Sequence, residues 1–334
     1  MKNNVSPERI MQFAWGYAPT LIIAAAVQHG VFDLLDESPK TIQQLAKKSG
    51  ASERGLTAIA NALVGLNFLS RKGNRYTLTP ESAAFLVSTR PGFLGALYRH
   101  MSSQIMPKWM QLDRVVRTGK PAMAVNEQKT GAAFFAEFVE ALFPMGYHAV
   151  VALGEHLKIS KTKTPIRVLD IAAGSGVWGI ALAEQSPLVR ISAVDWPEVL
   201  KVTRRVAKRH GVADRLETIP GDIGKVDFGS GYQIATLGHI LHSEGRERSR
   251  RLINKVFKAL AAGGTIVIGE FVPNDQRTGP PNALIFAVNM LVNTEHGDTF
   301  TFSEMSQWLR EAGFRNPRQL DVGGVSPLIL ANKP

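Results

Sequence analysis

The sequence predicts an α/β chain in which a mainly helical first part precedes a doubly wound, Rossmann-like parallel sheet closed by an antiparallel hairpin. Three observations carry this reading. From Ile166 onward, short β-branched runs alternate with helical stretches. A glycine-rich turn, Ala172-Ala173-Gly174-Ser175-Gly176, follows the first of those runs. Before residue 160 the apolar residues recur at helical spacing, with a single strand pair among them.

The elements follow in order. Residues 7–29 read as one helix with Ile10, Phe13, Ala14, Tyr17, Leu21 and Ala24 on one face and Met11, Trp15 and Ile22 on the other. A terminal helix that is apolar all round needs cover on both sides, so a second copy of the chain is expected there. Thr41 and Ser52 are N-caps for helices over 41–49 and 52–66. Residues 68–78 turn at Gly73-Asn74 as a hairpin, and helix, helix, hairpin is the winged-helix pattern. The domains expected are a winged-helix dimerisation unit over 1–100, a helical linker region over 101–160 lining a pocket, and the α/β unit over 161–334. Strands are expected at 166–171, 190–195, 215–219, 232–237 and 265–271. Helices are expected at 177–186, 197–210, 246–262, 281–293 and 303–313. The runs 318–322 and 327–332, separated by Gly323-Gly324, form the closing hairpin.

Composition bounds the function. The 334 residues include no cysteine, which removes disulfides and thiolate metal sites and fits a reducing, cytoplasmic setting. The start, Met1-Lys2-Asn3-Asn4-Val5, lacks a secretory pattern. The apolar run 18–27 contains Pro19 and falls short of the ~20 residues of a membrane span, so no membrane is expected. A net charge of +11 raises nucleic acid, but the basic residues are dispersed on expected helix faces. The 52–66 helix offers Arg54 as its only basic side chain, which disfavours a DNA reader.

Gly174, Gly176 and Gly179 also satisfy the dinucleotide fingerprint, so a nicotinamide dehydrogenase competes. Asp195, nineteen residues after Gly176, suits the ribose of either ligand. Asp170 is the discriminating residue. A carboxylate four residues before the first glycine repels a pyrophosphate but suits S-adenosylmethionine, which carries an ammonium and a sulfonium.

On these residues the chain resembles a known family. Residues 166–334 look like the class I S-adenosylmethionine-dependent methyltransferase fold. The whole chain is similar to small-molecule O-methyltransferases of the plant caffeate and flavonoid type and the bacterial polyketide-tailoring type. Val168-Leu169-Asp170-Ile171-Ala172-Ala173-Gly174-Ser175-Gly176 corresponds to that family's V-L-D-V-G-G-G-T-G, with two alanines for glycines. Asp195-Trp196-Pro197-Glu198-Val199 matches D-L-P-x-V, and Gly221-Asp222-Ile223 matches G-D-[MF]. The resemblance implies that Asp195 takes the ribose, that Asp222 bonds the adenine and that Ile223 packs on it. Gly238 stands where many plant members have a cofactor-contacting lysine.

It further implies that His242 is a catalytic base, since Leu241-His242 falls on the histidine of L-x-x-x-L-H-D-W, with Ser243-Glu244 replacing Asp-Trp. Glu270, twenty-eight residues on, would orient it, while Asp298 and Glu295 are the nearest substitutes for a second orienting acid. An imidazole suits deprotonation of a phenol, whose pKa is near ~10. His239 and His242 would share a face if helical, but without a third ligand no metal is expected. Pocket candidates are Trp109, Phe138, Met145, His239, Asn289 and Met290, pointing to a planar, largely apolar acceptor. Carbon or nitrogen methylation by the same fold, and a ligand-sensing winged-helix regulator, remain open alternatives.

Overall fold

The computed structural model describes residues 5–124, 128–324 and 326–334, so the extreme amino terminus read for a leader lies outside it. Within helix 128–156 the side chains of residues 128–131, 133, 134, 136 and 137 are likewise outside the described set. The chain divides into two compact units, Met1–Pro107 and Lys108–Pro334. The expected 101–160 linker region is therefore split. Its long helix belongs to the second unit, where it packs on the helices flanking the sheet.

In the first unit the expected single helix over 7–29 is two, α1 (Glu8–Ala14) and α2 (Ala18–Gln28), broken at Trp15–Tyr17. Gly16 lies in the break and Pro19 opens the second helix, a position where its missing N–H costs nothing. By length and composition Glu8–Gln28 is long and apolar enough to cross a membrane, which exceeds the 18–27 run weighed from sequence. Helix α3 (Val31–Glu37), which the sequence reading missed, follows a left-handed Gly30. Next come α4 (Ile42–Ser49), with a capping box from Thr41 and Gln44, and α5 (Glu53–Gly65), capped by Ser52. Strands β1 (Leu69–Lys72) and β2 (Arg75–Leu78) form the expected hairpin. Helices α6 (Pro80–Phe85) and α7 (Gly95–His100) complete the unit around Phe32, Leu45, Leu63 and Tyr76. Ile10, Phe13, Trp15 and Tyr17 are exposed.

The turn α8 (Met106–Trp109) leads into α9 (Leu112–Thr118) and α10 (Gln128–His156). The α/β part then runs β3 (Ile166–Ile171), α11 (Val177–Glu184), β4 (Val189–Asp195), α12 (Pro197–Arg209), β5 (Leu216–Pro220), β6 (Tyr232–Gly238), α13 (Leu241–Ala259), β7 (Leu260–Gly269), α14 (Pro281–Asn293), α15 (Phe302–Glu311), β8 (Arg315–Leu320) and β9 (Leu328–Asn332). Sheet order is β5-β4-β3-β6-β7-β9-β8. The first five strands are parallel, and β9 and β8 close the edge antiparallel. Both faces are covered, one by α10, α11 and α12 and the other by α13 and α15. Buried on both faces, the central strands read as nearly continuous apolar runs. Their carboxyl ends, and the switch point where β4 and β6 diverge from β3, are where such sheets bind ligands.

Candidate active site

The loop after β3 is built for close approach of a ligand. Gly174 (φ 57°) and Gly176 (φ 81°) are left-handed, a conformation free to glycine alone. Ala172 adopts it too (φ 53°), so one of the two alanines that replace family glycines is strained. Thr203 Oγ1 on α12 donates to Gly174 O at 2.7 Å and holds the loop from above.

Asp170 has a different place from the one expected. It is fully buried, and the Gly179 N–H donates to Oδ2 at 3.0 Å while Thr236 Oγ1 donates to Oδ1 at 2.8 Å. The carboxylate therefore pins α11 and β6 to β3 and presents nothing to a ligand's ammonium. Burial, with a smaller contribution from nearby Asp195, raises its pKa to about 7. Asp195, at the end of β4, is half-buried. Its Oδ2 accepts from Gly174 N–H at 2.8 Å and its Oδ1 from Trp196 N–H at 2.7 Å. Burial raises it to about 6. Each oxygen retains lone-pair capacity for a diol. Trp196 is half-buried against Phe135, with ring centroids 6.1 Å apart, and Ser175 is buried in the loop.

Asp222 caps its own turn, accepting from Gly224 N–H at 2.8 Å, with Lys225 Nζ at 3.7 Å. With Ile223 it lines a cavity of about 370 Å³ whose far wall is Glu244, Arg248, Arg251 and Lys255. Glu244, at the family's tryptophan position, is buried and accepts from Arg248 Nε at 2.6 Å. Burial raises its pKa although Arg248 opposes this.

His242 lies in the first turn of α13, before the chain breaks helical geometry at Gly245. Its Nδ1 faces Glu270 Oε2 at 2.7 Å, and its backbone N–H donates to Glu270 Oε1 at 3.2 Å. Both residues are buried. A carboxylate at Nδ1 selects the Nδ1–H tautomer and leaves the Nε2 lone pair free. Burial pushes Glu270 up, but charge and hydrogen bonding from His242, helped by His239, hold it below the usual carboxylate range. Phe286 meets the imidazole edge-on at 4.9 Å and stacks on Phe271 at 4.1 Å. Sequence reasoning missed both rings, although Phe271 follows Glu270 and Phe286 lies one turn before Asn289.

His239 is not on a helix with His242. It is a left-handed loop residue (φ 59°) whose N–H donates to Gly269 O at 2.8 Å, and its ring packs on Phe271 at 5.3 Å. Although the residue reaches the surface, desolvation of its ring lowers its pKa. The third donor that the sequence lacked is Glu270, so His239, His242 and Glu270 hold donor atoms within 4.8 Å of one another. Asp298 and Glu295 supply no orienting carboxylate. Asp298 faces Arg277 at 3.6 Å, and Glu295 is exposed beside His296. Among the pocket candidates, Trp109 Nε1 donates to Asn289 Oδ1 at 2.9 Å, Asn293 Nδ2 reaches the same oxygen at 3.1 Å, and Met290 is buried. Phe138 is half-buried. Met145 is exposed, because Val139, Phe143 and Val150 form the inward stripe of α10 and residue 145 lies off it.

Residues 109–315 match the family described as O-methyltransferase domain. The chain belongs to that family. Residues 11–88 match the O-methyltransferase dimerisation domain. This methyltransferase is 27% identical over 313 residues to 3-hydroxy-5-methyl-1-naphthoate 3-O-methyltransferase of Streptomyces sahachiroi, covering 92% of this chain and 89% of the relative. It is 28% identical to acetylserotonin O-methyltransferase of Bos taurus, covering 97% of each. Among solved structures, a Nostoc punctiforme protein provisionally assigned as an O-methyltransferase superposes with a TM-score of 0.89 at 30% identity, covering 99% of this chain and 100% of that one. Human N-acetylserotonin methyltransferase with S-adenosylmethionine gives 0.86 at 24% identity, covering 100% and 99%. The enzyme uses S-adenosylmethionine. The glycine loop and the half-open Asp195 carboxylate fit that cofactor, and Asp222 and Ile223 stand where its adenine end is expected.

Proposed function

We infer that this enzyme methylates a hydroxyl of a small aromatic acceptor and that His242 is the general base. The single observation behind the base assignment is the 2.7 Å contact from His242 Nδ1 to Glu270. The cofactor, when bound, supplies an activated methyl group with its own leaving group. The chain's task is to align the acceptor, exclude water and take the acceptor proton at His242 Nε2. Glu270 keeps the ring in the right tautomer and stabilises the imidazolium that forms. Phe286 walls the ring on its apolar side, with Phe271 stacked on it, and the pair favours a flat acceptor. The hydroxynaphthoate that the Streptomyces relative's name specifies is such a molecule. Assembly as a homodimer through the first unit is part of the same reading. It is supported by the dimerisation-domain match and by the exposed Ile10, Phe13, Trp15 and Tyr17.

His242→Ala should lower turnover on a high-pKa phenol by roughly 10²–10⁴ while the S-adenosylhomocysteine Kd stays within two-fold. On an acceptor already ionised at pH 7 the same variant should lose far less. Near-full activity of the variant on the high-pKa phenol would show that proximity alone drives transfer. Product analysis by mass spectrometry and NMR separates oxygen from carbon and nitrogen methylation.

A further inference from the structure

The indole of Trp178 lies in a trough that two glycines make. Gly238 ends β6, Gly269 ends β7, and the two are register partners on neighbouring strands. A Cβ on Gly238 would collide with indole Nε1, and one on Gly269 would lie 2.6 Å from Cζ2 and Cη2. The ring therefore spans the carboxyl ends of both strands, with its N–H edge over β6 and its benzo edge over β7. Since β6 is the strand beside β3, the N–H edge is the one nearer the 172–176 loop.

Trp178 is only 5% exposed, yet no described group accepts its Nε1–H. The N–H edge still reaches water at the mouth of the trough, so it is open to a ligand, and a phenylalanine would fill much of the same trough without presenting a donor there. Two residues reduced to glycine and one donor without a described protein acceptor make a seat open to one acceptor atom. The chemistry beside it names that atom. Trp178 lies in the first turn of α11, where the helix presents partial positive charge. S-adenosylmethionine carries a single anionic group, its α-carboxylate. Asp170, the acid that precedes this turn on β3, is already consumed by Gly179 and Thr236.

We propose that the Trp178 Nε1–H donates to the α-carboxylate of S-adenosylmethionine and fixes the amino-acid end of the cofactor over Gly238. Trp178 is then a cofactor-positioning residue specific to the carboxylate and indifferent to the nucleoside.

Two ligands separate this from simple packing. S-adenosylhomocysteine has the carboxylate, whereas 5′-methylthioadenosine has the same nucleoside and thioether but no amino-acid end. By calorimetry, Trp178→Phe should weaken S-adenosylhomocysteine about 10-fold or more, a charge-assisted hydrogen bond's worth, and leave 5′-methylthioadenosine within two-fold. Equal weakening of both ligands, or no change in either, would overturn the proposal. The wild-type protein gives a second readout that does not depend on the variant folding. Of its five tryptophan indole ¹⁵N–H signals, the one from Trp178 should move downfield with S-adenosylhomocysteine and stay in place with 5′-methylthioadenosine. A Trp178 signal that responds identically to both ligands counts against the carboxylate contact.

Discussion

Two buried carboxylates stand at the carboxyl edge of the same sheet and behave in opposite ways. Asp170, on β3, is held by an amide N–H and a hydroxyl, and burial raises it to about 7. Glu270, just past β7, is as deeply buried but is held below the usual carboxylate range by His242 and His239. The difference lies in the partners. Neutral donors stabilise an anion less than a group that can itself become cationic. Asp170 is therefore part of the fold's framework, while Glu270 is placed to work with an imidazole. Sequence position alone makes the two look alike, since each closes a parallel strand beside the site.

The comparison can be tested at its strongest point first. Glu270→Gln keeps the shape but removes the charge that orients His242, and turnover should fall about 10–100-fold with little change in cofactor affinity. An unchanged kcat would make Glu270 a framework residue like Asp170.

Asp170→Asn should act on stability and its pH dependence instead. In the folded chain Asp170 binds its proton up to about pH 7, against about 4 when unfolded. Between those values the native state holds more protons, so this group's contribution to stability falls as pH rises and is lowest above about 7. The asparagine cannot titrate; its oxygen still accepts from the Gly179 N–H, and its amide donates to Thr236 Oγ1, which turns to accept. Its melting temperature relative to wild type should therefore improve by a few degrees between pH 5 and pH 8. Part of the wild-type slope will persist in the variant, because Asp195, raised to about 6, titrates in the same direction. A constant offset at both pH values would show that Asp170 stays ionised throughout.

The smallest effect is expected two residues further on. Ala172 sits at a positive φ, so Ala172→Gly should gain about 1 kcal/mol in urea or thermal unfolding by relieving that strain. A loss would mean that the side chain packs well enough to offset its backbone.

Much of this was legible beforehand. The alternation of strands and helices, the glycine turn and the closing hairpin follow from local periodicity and from residues with restricted backbone choices, and both are written in the sequence. So were the spacing from His242 to Glu270 and the place of Asp195 at the end of β4. Other features depend on neighbours distant in the chain. Gly16 and Pro19 carried the signal for the break between α1 and α2, but an apolar stripe continuing across it masked them. Met145 looked like pocket and is exposed, because which stripe of α10 turns inward is decided by the sheet it covers.

Asp170 shows the limit most clearly. Its presence before the glycines was visible, but its partners Gly179 and Thr236 come from a different helix and strand, and only their convergence turns a candidate ligand contact into a buried pin. Trp178 reads as an ordinary apolar helix residue until β6 and β7 set Gly238 and Gly269 beneath its ring. Sequence fixes what each residue can donate, accept or cover. Strand order and register decide what stands opposite it, and in a buried site the group opposite settles whether a carboxylate is pin or partner and whether an N–H is satisfied.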